Sequence, residues 1–358
     1  ALGTSAALAP AVIASERARP LLPCGVMSGD TSSDTAVIWS KSDRPARMHV
    51  ELADNAAFRR ARHVDGGLAT ADNDYTARAL LSALPAGEQI FYRVTFADAA
   101  SPRVVSAPVT GSLRAPPRAR TTVSFTFSGD EAGQGWGINP DIGGYRLYES
   151  MRRMRPDFFI HSGDQIYADG IIMPEVTTDD GRAWRNLTTP AKARVAQSLD
   201  DFRGNFAYNF LDDNKRRFAA EVPFLVQWDD HEIRNNWYPG QVIDDPAYAR
   251  DRERATDALA RFSRQAMFEY NAMRIDAHDP ERIYRHFDYG ASLEVFMLDE
   301  RAYRGPNTAN RQASPDRDSA FLGRAQLDWL KQRLRASRAT WKVIATDMPL
   351  ALVVADLN

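Results

Sequence analysis

Short apolar runs broken by turn formers fill the first third of the chain. Ala36-Val37-Ile38-Trp39 and residues 48–52, 77–81 and 90–96 combine β-branched, aromatic and aliphatic side chains. Ile90, Tyr92, Val94 and Phe96 alternate with Phe91, Arg93 and Thr95, the period of a half-buried strand. Ser42-Asp43, Asp65-Gly66-Gly67, Asp72-Asn73-Asp74 and Pro85-Ala86-Gly87 supply turns between the runs. Strands so spaced, with no long helix between them, predict a β-sandwich. Arg114-Ala115-Pro116-Pro117-Arg118 reads as a linker, because two prolines fix φ and remove backbone donors.

Beyond the linker the period changes. Residues 123–127 predict a strand with Val123, Phe125 and Phe127 on one side. Leu147, Met151 and Met154 recur at helical spacing over 145–155, and Pro156 ends that helix. Residues 157–162, 222–228, 293–298 and 341–345 predict four more strands. Ala255, Leu259, Phe262, Ala266 and Tyr270 predict one helix, and Leu327, Leu330 and Leu334 another that ends near Arg338. Alternating strands and helices predict a layered α/β domain. The chain shows no internal repeat.

Composition narrows the picture. The chain has 358 residues, 44% hydrophobic and 26% charged, which excludes disorder over most of its length and suggests about two domains. Lys+Arg is 45 against Asp+Glu 47, so the net charge of -2 gives no electrostatic footprint for nucleic acid. No apolar run approaches the ~20 residues of a spanning helix. Cys24 is the only cysteine, which excludes an intramolecular disulfide and any cysteine-cluster metal site. Residues 1–14 are small and apolar, like the tail of a secretory signal, and predict an exported, periplasmic or secreted protein. The plainer reading is an alanine-rich N-terminus without fixed structure.

Candidate chemistry gathers where three apolar strands end in acidic residues: Phe127-Ser128-Gly129-Asp130, Ile160-His161-Ser162-Gly163-Asp164 and Val226-Gln227-Trp228-Asp229-Asp230-His231-Glu232. Sites in α/β sheets lie beyond the carboxyl ends of strands. Carboxylates brought together there repel unless a hard cation, or a pair of them, intervenes. Glycine before Asp130 and Asp164 permits a sharp turn and a close approach. Tyr167 serves either packing or metal ligation. As a ligand, its phenol calls for a Lewis acid such as ferric iron.

Other motifs read as structure. Gly29-Asp30 reads as a turn, and His161 as a packed core histidine. Residues 133–144 match neither a P-loop nor a dinucleotide fingerprint and predict a mobile loop over the site. Asn186-Leu187-Thr188 is an N-glycosylation acceptor of a kind common by chance. Ser128 and Ser162 lack the Gly-x-Ser-x-Gly context of a serine hydrolase.

These motifs resemble the alkaline phosphatase D (PhoD-type) family of calcineurin-like metallophosphatases. The resemblance runs through Gly25–Asp30 with residues 36–39, Leu84-Pro85-Ala86-Gly87 with Phe91-Tyr92-Arg93, residues 156–167, Trp228-Asp229-Asp230-His231-Glu232, residues 298–304 and Trp341-Lys342-Val343-Ile344. It implies a four-layer αββα sandwich preceded by a fibronectin- or Ig-like β-sandwich. Residues 1–19 would be a remnant of the export signal or disordered, 20–114 the N-terminal sandwich and 119–358 the catalytic domain.

By the same resemblance Asp164 bridges two metal ions, Tyr167 binds a ferric ion, Asp230 binds the second metal and His231 donates a proton or stabilises the transition state. Asp130 stands where family members often carry Ser-Cys. Its Gly-Asp form is nearer to purple acid phosphatases, which assigns it to the first metal. The implied centre is Fe3+ with Ca2+, or with Zn2+ or Mn2+. The implied activity is hydrolysis of phosphate monoesters, diesters or both by a metal-bound hydroxide. The alternatives are a phosphodiesterase of phospholipase D type and a non-catalytic exported binding protein. The expected partner is a small phosphate ester, with no nucleic acid beyond a phosphodiester substrate, for a monomer that does not span a membrane. Nothing after Asp299 resembles the superfamily's C-terminal histidine motifs, which predicts that the chain is a fragment.

Overall fold

The computed structural model describes residues 19–249, 253–308 and 311–349. Residues 1–18, which carry the export expectation, and residues 350–358, where the fragment expectation falls, lie outside the described residues. The first part of the chain forms seven strands: β1 (Val26–Gly29), β2 (Ala36–Lys41), β3 (Ala46–Ala53), β4 (Arg62–Ala69), β5 (Thr76–Leu81), β6 (Gln89–Asp98) and β7 (Val109–Arg114). After the prolines come β8 (Phe125–Ser128), α1 (Arg146–Met154), β9 (Phe158–Ser162), the hairpin β10 (Glu175–Thr177) and β11 (Ala183–Arg185), α2 (Leu199–Asn209), α3 (Asp213–Glu221) and β12 (Phe224–Gln227). The remaining elements are α4 (Thr256–Tyr270), β13 (Arg285–Tyr289), β14 (Leu293–Met297), α5 (Gly323–Ala336) and β15 (Trp341–Ala345).

One six-stranded sheet, ordered β5-β2-β1-β12-β9-β8, runs through both halves of the chain. Strands β8, β9, β12 and β1 are parallel, and β2 and β5 extend the sheet in antiparallel fashion. Its two faces follow from side-chain alternation. On one face Met27, Val37, Trp39, Phe159, Phe224 and Val226 pack against helices α1 to α4 through Met151, Phe202, Phe218 and Leu259. The other face carries two separate cores. Val26, Ile38, Ala79 and Leu81 meet Met48, Val50, Val94 and Phe96 of the four-stranded sheet β4-β3-β6-β7, closing a β-sandwich. Phe158, Ile160 and Leu225 meet Phe287, Leu293, Val295 and Met297 of the three-stranded sheet β13-β14-β15. The far face of that sheet offers Phe296 and Leu298 to Leu330 of α5. Helices, sheet, sheet and helix are thus stacked as four layers, the expected fold class. The linker divides the chain but not the sheet, because Gly29 of β1 pairs with Phe224 of β12.

Several elements differ from the sequence expectations. Helix α1 buries Tyr148 and Met151 while Leu147 and Met154 are 57% and 71% exposed, so its inner face is turned from the apolar stripe. Asp65-Gly66-Gly67 lies inside β4 rather than in a turn. The register of β3 against β4 shifts between Arg47 and His49, and a Cβ on Gly66 would sit 2.7 Å from the Cβ of Met48. The 133–144 segment borders Asp130 and packs on the Tyr167 ring at Gly133, and it is tied down. Asn186 accepts from the Gly137 N–H at 2.7 Å and donates to the Gly135 carbonyl at 2.9 Å, and Trp136 meets Trp184 edge-on.

Candidate metal centre

The loops after β8, β9 and β12 meet at the carboxyl ends of adjacent strands. Gly163 makes the meeting possible. Its φ is +95°, and a Cβ there would lie 2.6 Å from the Asp229 nitrogen and Cβ. Asp130 and Asp164 follow with φ of 61° and 50°, left-handed backbone that aspartate tolerates better than most residues. The Asp130 N–H donates to the Gly163 carbonyl at 3.2 Å and the Glu131 N–H to the Asp164 carbonyl at 2.9 Å, so the first two loops are knitted together. Glu232, fully buried, draws in the third. Its carboxylate accepts from the backbone N–H groups of Asp164 (3.1 Å), Gln165 (2.6 Å) and Asp229 (2.7 Å).

All five residues expected from the sequence come together here. Asp164, Asp230 and His231 each offer a ligand atom within 4.8 Å of the other two. The Tyr167 hydroxyl donates to Asp130 Oδ1 at 2.5 Å, and its ring stacks on His231 with centroids 4.2 Å apart. One Asp164 oxygen accepts the His231 N–H at 3.1 Å, and one Asp230 oxygen accepts the Asn236 N–H at 2.6 Å.

Three groups escaped the sequence reading. Asp169 holds His231, with its carboxylate oxygens 2.8 and 3.0 Å from Nδ1 and one of them accepting the Asn235 N–H at 2.7 Å. A carboxylate so placed accepts the Nδ1 proton and leaves Nε2 as the nitrogen open to a substrate or ion. Asp169 lies five residues after Asp164 in the same loop, a spacing with no signature of its own. Arg301 donates to Asp229 Oδ1 from Nε at 2.7 Å, and its Nη2 lies 3.5 Å from Asp230 Oδ2. Asp347, just past β15, has a buried Oδ2 with no hydrogen-bond partner among the described residues, 3.5 Å from Arg301 Nε.

The electrostatics of the bare site are unfavourable. Burial, then Glu232, Asp229, Asp230 and Asp130, push the Asp164 carboxyl up to about 10. Burial and Asp229 also raise Asp230 against the pull of Arg301. Burial followed by Asp229 takes Glu232 up to about 8 despite its three N–H donors. Burial works against the His231 imidazolium, but Asp169, Asp230 and Glu232 more than offset it and raise its pKa. Burial, Asp164 and Asp130 raise Tyr167. Converging oxygen donors that cannot all carry charge unaided match the needs of hard cations, so the donor set fits metal ions.

His161 is not an isolated core histidine. It contacts Glu131 Oε1 through Nε2 at 3.0 Å, and Lys215 donates to the same carboxylate at 2.8 and 2.7 Å. Gly29-Asp30 is more than a turn, since Asp30 is buried against Arg285 at 2.8 Å. Asn186 spends its amide on the 133–144 loop.

The family model described as "PhoD-like phosphatase" matches residues 126–358, and the model for its N-terminal domain matches residues 6–117. Alkaline phosphatase D of Bacillus subtilis (strain 168) is 27% identical over 346 residues, covering 90% of this chain and 54% of that protein. The chain therefore spans about half the length of this curated relative. A solved structure of PhoD superposes with a TM-score of 0.71 at 24% identity, over 91% of this chain and 62% of the other. Purple acid phosphatase PPD1 of yellow lupin (Lupinus luteus) superposes with 0.54 at 13% identity, over 91% and 50%. Both structures share the fold. With the phosphatase model spanning well over half of its residues, the chain belongs to the PhoD-like phosphatase family.

Proposed function

We propose that this protein hydrolyses phosphate esters in a metal-dependent reaction. The observation that carries the reading is the convergence of Asp164, Asp230 and His231 beyond the parallel strands, with Asp169 behind the histidine. Asp130, Asp164 and Tyr167 would hold one cation, and Asp164 with Asp230 a second. Ions held there would neutralise phosphoryl oxygens and would lower the pKa of water from about 15.7 towards 7. A phenol ligand favours a ferric ion at the Tyr167 side, with Ca2+, Zn2+ or Mn2+ at the other.

The protein's own groups do the rest. Asp169 orients the His231 ring through Nδ1 and, with Asp230 and Glu232, raises its pKa against burial, so His231 can give a proton to the departing ester oxygen through Nε2. Arg301 offsets part of the charge of Asp229 and Asp230 and holds the third loop in place. The same arrangement serves monoesters and diesters, including a phospholipase D-like substrate. In the full-length protein, Asp164→Asn and His231→Ala should each remove most activity against an aryl phosphate ester. Wild-type turnover by both variants with metals bound would contradict the assignment.

A further inference from the structure

A second set of ligating side chains lies on the three-stranded sheet, on the face turned towards α5. His286 and Asp288 alternate to this face of β13, while Phe287 and Tyr289 point into the apolar core. Glu294 of β14 stands directly opposite Asp288 in the antiparallel register. One ligand atom from each of His286, Asp288 and Glu294 lies within 4.8 Å of the other two.

Two facts single this trio out from an ordinary acidic patch. The first is Glu294 itself. Its side chain is only 8% exposed, its polar contact among the described residues is His286 at 3.0 Å, and it opposes a like charge across the strand pair, which is destabilising. Two cations carried on this sheet, Lys342 and Arg285, are engaged elsewhere. Lys342 is the β15 neighbour of Glu294, but its ammonium donates to the Ala339 carbonyl at 2.7 Å. Arg285 binds Asp30. The second fact is His286. Its Nδ1 lies 3.0 Å from Glu294 Oε1, yet this nitrogen is buried and forms no hydrogen bond among the described residues. A buried ring nitrogen without a hydrogen bond, 3.0 Å from a carboxylate oxygen, leaves both atoms available to a cation. Phe296 and Trp329 flank the imidazole, with ring centroids 6.3 and 6.4 Å away.

We propose that His286, Asp288 and Glu294 bind one divalent transition-metal ion of the zinc or manganese class, separate from the centre at Asp164 and Asp230. One imidazole and two carboxylates suit such ions. Donors around a tetrahedral ion at about 2.1 Å lie about 3.4 Å apart. The exposed Asp288 is the arm that closes the remaining distance. The ion would turn the Asp288–Glu294 repulsion into a cross-link between β13 and β14. The proposal does not depend on the phosphoester reading.

The test uses the full chain and Zn2+ alone, in an Asp164→Asn background that cripples the main centre. Bound zinc is counted by elemental analysis after gel filtration, and melting is followed with and without zinc. Adding Asp288→Asn or His286→Gln should each remove one zinc equivalent and the zinc-dependent rise in Tm. Without metal, Asp288→Asn should melt no lower than its parent, because a like-charge pair is gone. Asp288 is exposed and asparagine is its isostere, so misfolding does not cloud the result. Equal zinc content in the parent and both variants would overturn the proposal, as would a parent that binds no zinc.

Discussion

Two strands of one sheet end in the same dipeptide and use it in opposite ways. Gly29-Asp30 closes β1 and Gly163-Asp164 closes β9, one strand apart, and both aspartates adopt left-handed backbone, with φ of 43° and 50°. Asp30 meets cationic and N–H donors: Arg285 at 2.8 Å and the Arg274 N–H at 2.7 Å. Asp164 meets Glu232, Asp229 and Asp230, and accepts a single N–H from His231. Dipeptide, turn and burial are shared, and the charge facing the carboxylate is what differs. A facing guanidinium makes the aspartate a structural tie. Facing carboxylates place it in a cluster whose charge a cation would offset, as the proposed function requires. The contrast recurs between consecutive residues, for Asp130 faces Tyr167 at the centre while Glu131 is closed from behind by Lys215.

The most severe break is Asp164→Asn. It should cut phosphoester turnover by roughly 10⁴-fold, about 5.5 kcal/mol of barrier. It should also raise the melting temperature of the metal-free protein, because one crowded carboxylate is gone. Loss of both activity and metal-free stability would show that Asp164 is structural, as Asp30 is. Asp30→Ala should do the reverse. It strands a largely buried guanidinium at a cost of about 3–5 kcal/mol in urea unfolding, with kcat of the folded fraction unchanged.

The Glu131 pair gives a pH signature. Burial opposes its charge, but Lys215 and His161 outweigh burial and bring the carboxyl down to about 2, against an ordinary 4.5. A folded-state pKa below the unfolded one stabilises above the ordinary value and is lost on the acid side. Roughly 3 kcal/mol should therefore disappear between about pH 4.5 and 2. Lys215→Met should flatten that acid limb as well as weaken the fold, which unfolding at several pH values would reveal. The smallest effect is expected from Asp169→Asn. Turnover should fall about 10²-fold, about 2.7 kcal/mol. Without the carboxylate, only Asp230 and Glu232 oppose burial and the His231 pKa falls, so the alkaline limb of the kcat profile should move to lower pH.

Much of this was legible in the sequence wherever apolar spacing and turn chemistry agreed. The stripe from Leu259 to Tyr270 became α4, and the three acid-tipped strands converged because parallel neighbours end on one edge. Helices α2 and α3 were not foreseen because polar side chains share their inward positions with Phe202, Phe206 and Phe218. Asn205 receives Lys192, Arg203 pairs with Glu269 and Lys215 pairs with Glu131, so the apolar stripe is interrupted. β1 was quoted as a motif rather than a strand, although it joins the two halves of the sheet. The supporting groups Asp169, Arg301 and Asp347 were hidden for a related reason. Each acts on a partner brought close only by the fold, and no local spacing marks it.

The central claim is that the acidic ends of β8, β9 and β12 surround metal ions. Anomalous scattering from crystals of the wild-type chain grown with Mn2+ tests it most directly. The account predicts a strong peak about 2.2 Å from carboxylate oxygens of both Asp164 and Asp230. A map with no peak between those two side chains, at saturating Mn2+, would contradict it.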